Sequence, residues 1–189
     1  MASNLRILGL DPGLAHTGWA VLACDGNPRL ITSATIETRK WLDRGKTIEI
    51  ANRDRIDAIS LDVQKVLAVQ EPDYVVMEDF VFFGNRGKTT SIMPALVENI
   101  RVMGKMLGYN VVIFTNAAWK KILLRNHIAS KEQIQYYTHK QLGLQADIWD
   151  AKDKGGHERD AMALALTLHK KLSMGEDRDA RRTTVRRTK

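Results

Sequence analysis

The sequence predicts an α/β fold, on three observations. Short apolar runs with strand character occur five times along the chain. After the third run, segments whose apolar residues recur at helical spacing separate the rest. The segment from Ala161 to Leu168 is apolar on nearly every face, which suits a helix covered on all sides. Three strands followed by helix, strand, helix, strand and helix is an α/β order. A chain of 189 residues is long enough to bury one sizeable core, so one domain is expected over residues 1–173.

Each element has its own local reason. Residues 5–11 and 17–23 read as strands joined by a tight turn through Pro12 and Gly13. Residues 29–37 form a third strand after the turn at Asp25-Gly26-Asn27-Pro28. Ile48, Ile56, Ile59, Val63, Val66 and Leu67 then mark a helix that Glu71-Pro72 stops. Tyr74 to Met77 is fully apolar, as expected of a strand covered on both faces. A loop with Gly84 and Gly87 leads to a helix from about Ser91 to Leu107, where Pro94 is tolerated in the first turn. Asn110 to Thr115 is the fifth strand. Helices over 117–124 and 130–142 follow, the second with Ser130 as its N-cap. Residues 145–156 read as a loop, and the last helix runs from His157 to about Leu172. From Met174 to Lys189, six basic residues stand against three acidic ones with little to bury, so this tail is expected to be disordered.

Charge and composition narrow the function. A net charge of +7 favours a polyanionic partner, nucleic acid before anionic membrane. No apolar run approaches the ~20 residues that a spanning helix needs, so no membrane partner is expected. MASNLRILGL lacks the layout of a secretory signal, and the one cysteine, Cys24, cannot form an internal disulfide. A cytoplasmic, reducing location is the expectation.

The chemistry is read from four residues. Asp11 ends the first strand and Glu78 ends the fourth in the same way: an apolar run, a carboxylate, then a loop. Desolvating a lone carboxylate costs several kcal/mol unless a partner or a cation offsets it. In an open α/β sheet, ligands gather beyond the carboxyl ends of adjacent strands. If the first and fourth strands are neighbours, the two acids face each other across an oxygen-rich site suited to Mg²⁺ or Mn²⁺. His157 and Asp160, at i and i+3, share one face of the first turn of the last helix and complete the set.

In order along the chain, GLDPGLAHTGWAV, EPDYVVMEDFVFFGNRGKTT, WKKILLRNHIASKEQIQYY and HERDAMALAL resemble the RuvC-type Holliday junction resolvases of the ribonuclease H-like superfamily. The resemblance covers nearly all of residues 5–172 and leaves the tail outside. It implies a ribonuclease H-like fold, with a mixed five-stranded sheet flanked by helices. It also implies Asp11, Glu78, His157 and Asp160 as the catalytic and metal-binding set, His157 standing where many members carry aspartate. Lys120 and Lys131 correspond to the family's lysines, and the family stacks an aromatic on an unpaired base just after its glutamate. Here Phe82 and Phe83 are the candidates for that role, with Phe80 read as core. Arg86, Lys88 and Thr89 can bind phosphates beside them. The activity implied is paired hydrolysis of two phosphodiesters in a four-way DNA junction, in recombination and repair, using two divalent ions per site. Two symmetric cuts call for two sites, hence a C₂ homodimer. The helix carrying Met93, Leu96, Val97, Ile100, Met103 and Leu107 could supply part of its face, although core packing accounts for most of that pattern.

Three other readings compete with this one. A less selective nuclease would cut flaps and forks as readily as junctions. A non-catalytic junction-binding protein would have lost its site residues, and all four are present. A sugar-kinase or actin-like ATPase needs a second phosphate-binding hairpin and about twice the length.

Overall fold

The computed structural model describes residues 5–38, 46–80, 92–153 and 155–186, the side chains of 151 and 176–186 excepted. Phe82, Phe83, Arg86, Lys88 and Thr89 therefore lie outside the described residues.

One five-stranded sheet organises the chain. Strands β1 (Arg6–Asp11), β2 (His16–Ala23) and β3 (Arg29–Glu37) form an antiparallel meander. The Thr17 hydroxyl closes the first turn, donating to the Gly13 carbonyl at 2.8 Å. Helix α1 (Ile48–Gln70) starts on a Thr47 cap and ends where Glu71 turns left-handed at φ 44°. It leads to β4 (Tyr74–Glu78), then α2 (Met93–Met106) and β5 (Asn110–Phe114). The strand order is β3-β2-β1-β4-β5, with β1, β4 and β5 mutually parallel. The mixed sheet expected from the sequence is the one formed, and β1 and β4 are neighbours.

Alternation along the strands sends side chains to two covered faces. Leu8, Leu10, Val21, Val75 and Met77 pack against Ile56, Ile59, Val63 and Leu67 of α1 and Met93, Leu96, Val97 and Ile100 of α2. Ile7, Leu22, Val76 and Phe114 face α3 (Asn116–Leu124), α4 (Lys131–Leu142) and α6 (His157–Arg186). Ser130 caps α4 in a reciprocal capping box with Gln133. Ala161 to Leu166 of α6 are all buried, as the all-round apolar pattern required.

Three expectations change. Residues 146–152 of the expected loop form a short helix, α5 (Ala146–Lys152). Seven residues carry little helical stability of their own; Trp149 anchors them by packing on Ala20, Ala161 and Met162. Helix α6 does not stop at Leu172 but continues to Arg186. No proline interrupts that stretch, and Arg, Ala and Met propagate helix well. Phe80, read as core, is 37% exposed, because the chain has left the sheet two residues past the end of β4.

Candidate active site

The parallel pairing of β1 with β4 sets Asp11 and Glu78 at neighbouring strand ends. The N-terminus of α6 lies across this edge because the strands carry glycine where it crosses. Asp11 pairs in register with Gly18, and a Cβ on Gly18 would stand 2.1 Å from the His157 carbonyl oxygen. That close approach brings the imidazole to the carboxylate: His157 Nδ1 lies 3.0 Å from Asp11 Oδ2. With Nδ1–H donating to Asp11, Nε2 is the nitrogen left to accept a proton or a cation.

Asp160 follows one turn later. Its carboxylate lies 3.6 Å from Lys131 Nζ, which also donates to the Gly155 carbonyl at 2.7 Å. Lys131 thus stands at the site itself. Lys120 contributes on the other flank, where its charge favours ionised Glu78. Glu78 accepts a hydrogen bond from Asn116 Nδ2 at 2.7 Å and one from Trp119 Nε1 at 2.9 Å. The structure therefore gathers all four predicted acid and imidazole groups and both predicted lysines around one strand edge.

Sequence reasoning missed four supporting features. Asn116 and Trp119 are two. His16 is a third, its ring stacked on His157 with centroids 5.4 Å apart and planes within 12°. The fourth is the brace under the start of α6. Asp153 caps the helix through the Arg159 N–H at 3.0 Å and pairs with the Arg159 guanidinium, which also meets Asp150. Burial of both Asp153 and Arg159 holds the turn that carries His157. The alternation of charge in HERD was a visible signal for Arg159; Asn116 and Trp119 showed only as an i, i+3 pair, which any helix contains. A cleft of about 530 Å³ opens beside the site, lined by His16, Thr35, Glu37, Lys152, Gly155 and His157.

Electrostatics show what the cluster lacks. Burial raises the Asp160 carboxyl to about 6, with the Asp11 charge adding to the rise against Lys131. Burial also raises Glu78, its two hydrogen bonds pull it back down, and Asp11 adds a smaller push upward. The hydrogen bond that His157 donates to Asp11 raises the imidazole. Crowded, desolvated carboxylates with raised pKa are the environment a hard divalent cation relieves, and the donor set of three carboxylates and an imidazole suits Mg²⁺ or Mn²⁺. Among the described residues no three such side chains already converge into a finished cage. The fit is one of donor chemistry and charge.

These shifts carry a stability consequence in metal-free buffer. Asp160, Glu78 and His157 all bind a proton more tightly folded than unfolded, so each contributes stability at low pH that is lost as pH rises. For Asp160 the loss runs from 3.8 to about 6, a cost of at most about 3 kcal/mol at one to one and a half kcal/mol per pKa unit. Asp160→Asn is therefore expected to raise the melting temperature at pH 8 in chelator by roughly 5 °C, and by much less at pH 5. Thermal unfolding at the two pH values checks this; a lower melting temperature for the variant at pH 8 would contradict it.

With the geometry in place, likeness to known proteins is informative. A family model described as crossover junction endodeoxyribonuclease RuvC matches residues 7–169. The protein of that name from Rhodopirellula baltica is 31% identical over 165 residues, covering 86% of this chain and 85% of the relative. That from Neorickettsia sennetsu is 31% identical over 153 residues, covering 76% and 86%. In three dimensions, Thermus thermophilus RuvC superposes with a TM-score of 0.72 at 24% identity, over 90% of this chain and 97% of that one. The yeast mitochondrial Holliday junction resolvase Ydc2 gives 0.56 at 9% identity, over 88% and 80%. Both likenesses are of fold alone.

Proposed function

This chain belongs to the RuvC family of crossover junction endodeoxyribonucleases, and we propose that it resolves four-way DNA junctions at the cluster of Asp11, Glu78, His157 and Asp160. The observation that carries the site assignment is the meeting of Asp11 and His157, 146 residues apart, at 3.0 Å on the strand edge that also bears Glu78. The T. thermophilus relative has been solved with a Holliday junction substrate, and its fold in that complex superposes on this chain with a TM-score of 0.70.

The reaction is metal-dependent hydrolysis of a phosphodiester. Two Mg²⁺ or Mn²⁺ ions per site would supply a water acidic enough to deprotonate near neutral pH and would offset charge on the phosphate. Asp11, Glu78 and Asp160 would hold the cations through carboxylate oxygens. His157 is fixed by its Nδ1 hydrogen bond to Asp11, so Nε2 is oriented to bind a cation or accept the proton of the attacking water. Lys131 and Lys120 flank the carboxylates, so a phosphate entering from solvent meets positive charge on both sides. Alanine at both lysines should weaken junction binding and lower the slope of log K against log salt by about 2, the signature of two lost phosphate contacts. An unchanged slope in a filter-binding titration would remove them from the interface. Phe82 and Phe83, with Arg86, Lys88 and Thr89, are proposed to meet the bases and backbone at the junction centre.

A homodimer supplies the second site. On α2, Met93, Leu96, Val97 and Ile100 are spent in the core, whereas Val102, Met106 and Leu107 are exposed and offer an apolar face to a second copy. No helix among the described residues is long and apolar enough to cross a membrane.

Digestion of end-labelled synthetic junctions, flaps and duplexes with Mg²⁺ or Mn²⁺ tests the proposal. Symmetric nicks on opposed strands of the junction are expected. Equal cutting of flaps and forks would instead make this a general branched-DNA nuclease, and binding without cutting a junction-binding protein.

A further inference from the structure

We propose that Asn116 and Trp119 are positioning residues for Glu78, forming a two-donor clamp that presents its carboxylate to a divalent cation; this rests on the reading of Glu78 as a cation-holding residue. Asn116 Nδ2 donates to Oε1 at 2.7 Å and Trp119 Nε1 donates to Oε2 at 2.9 Å. An ionised carboxylate has about four lone-pair sites. The clamp therefore takes one on each oxygen and leaves one on each for a cation. Both donors are neutral, so they fix the carboxylate without cancelling its charge, as a lysine or arginine in the same place would. An indole N–H can only donate, so Trp119 matches the ionised form of Glu78 and not a rotated, protonated one.

The fold makes the clamp rigid. Glu78 pairs in register with Phe114 on β5, and the Asp79 N–H donates to the Phe114 carbonyl at 2.7 Å, so the end of β4 is tied to the start of α3. Thr115 caps α3, accepting from the Ala118 N–H. Asn116 and Trp119 then fall at i and i+3 on its first turn, on the face turned to β4. Trp119 is only 3% exposed, packed in the cluster that includes Phe114 and Leu123, so its indole cannot swing away from Glu78. The same turn carries Lys120, whose charge favours ionised Glu78. One helical turn thus sets the direction of a single carboxylate. Groups that orient a metal-holding carboxylate typically contribute 10–100-fold to metal affinity.

The test is Mn²⁺ affinity of the DNA-free full chain, measured by electron paramagnetic resonance of free Mn²⁺. Asn116→Ala alone is expected to weaken binding about tenfold, and Asn116→Ala with Trp119→Phe by up to about 100-fold. Junction affinity in chelator should stay within threefold of the parent. In a Glu78→Gln background the same changes should add nothing further, because the group they position is already altered. If Glu78→Gln weakens Mn²⁺ binding while both clamp variants stay within twofold of the parent, the clamp is overturned and the site reading stands. If Glu78→Gln itself leaves Mn²⁺ affinity unaltered, the site reading falls and the clamp with it. Should the double variant fail to fold by circular dichroism, Asn116→Ala decides alone, since Asn116 is exposed and its loss leaves the core intact.

Discussion

Asp11→Asn is expected to reduce single-turnover cleavage of a four-way junction by about a thousandfold or more, while junction affinity stays within a few-fold of the parent. The substitution keeps size and hydrogen-bonding capacity but removes a charge from a desolvated cluster. That charge raises both Glu78 and Asp160 and holds His157 through Nδ1. Several kcal/mol of transition-state stabilisation depend on the cations this carboxylate would share, and each 1.36 kcal/mol is about tenfold in rate. Affinity for DNA, in contrast, comes mainly from basic groups meeting phosphates. Rapid-quench cleavage and chelator-buffered binding separate the two; activity within tenfold of the parent would take Asp11 out of the reaction.

Gly9→Ala is expected to be the most damaging single-methyl change in the fold. Gly9 sits in the middle of β1 on the face turned to α6, and a Cβ there would stand 1.9 Å from the Ala161 carbonyl oxygen. No side-chain rotation relieves that, because the obstacle is the backbone of a buried helix. Overpacking of this kind costs about 3 kcal/mol or more when nothing flexible can yield, which is a fall of roughly 10 °C in melting temperature for a chain of this size. The helix must lift from the sheet, so His157 and Asp160 move with it and cleavage falls in the protein that remains folded. Gly175→Ala, within α6 and where a Cβ meets nothing within 4 Å, is the control and should be neutral or stabilising by up to about 1 kcal/mol. A Gly9→Ala protein with parental melting temperature and activity would mean that the helix has room the packing does not show.

Much of this was legible in the sequence because it is written in local patterns. Strand ends could be placed at Asp11 and Glu78 because apolar runs stop there, and the last helix at His157 because its buried face begins there. The adjacency of β1 and β4 was legible only as a condition, since a parallel pairing has no signature within either strand. Helix α5 was not legible: its stability lies in Trp149 packing on residues from β2 and α6, and its polar sequence reads as a loop without that contact. The glycines at 9 and 18 sat in plain view within a motif. What they make room for, a helix from the far end of the chain, belongs to tertiary structure alone. The same holds for Asn116 and Trp119, whose meaning depends on which strand ends beside α3.

The spacing of the site along the chain has a consequence for when the enzyme exists. A ribosome makes Asp11 long before His157, and the two must then meet across 146 residues. Meander strands β1 to β3 can form from neighbouring sequence, but the parallel β1–β4 ladder and the seating of α6 need contacts distant in sequence, which form slowly. Until that last helix lies on Gly9 and Gly18, the carboxylates of β1 and β4 have no imidazole and no third acid beside them. If the proposed site is the cutting one, a growing or half-folded chain is a sheet without a blade, and cleavage waits on the complete tertiary structure.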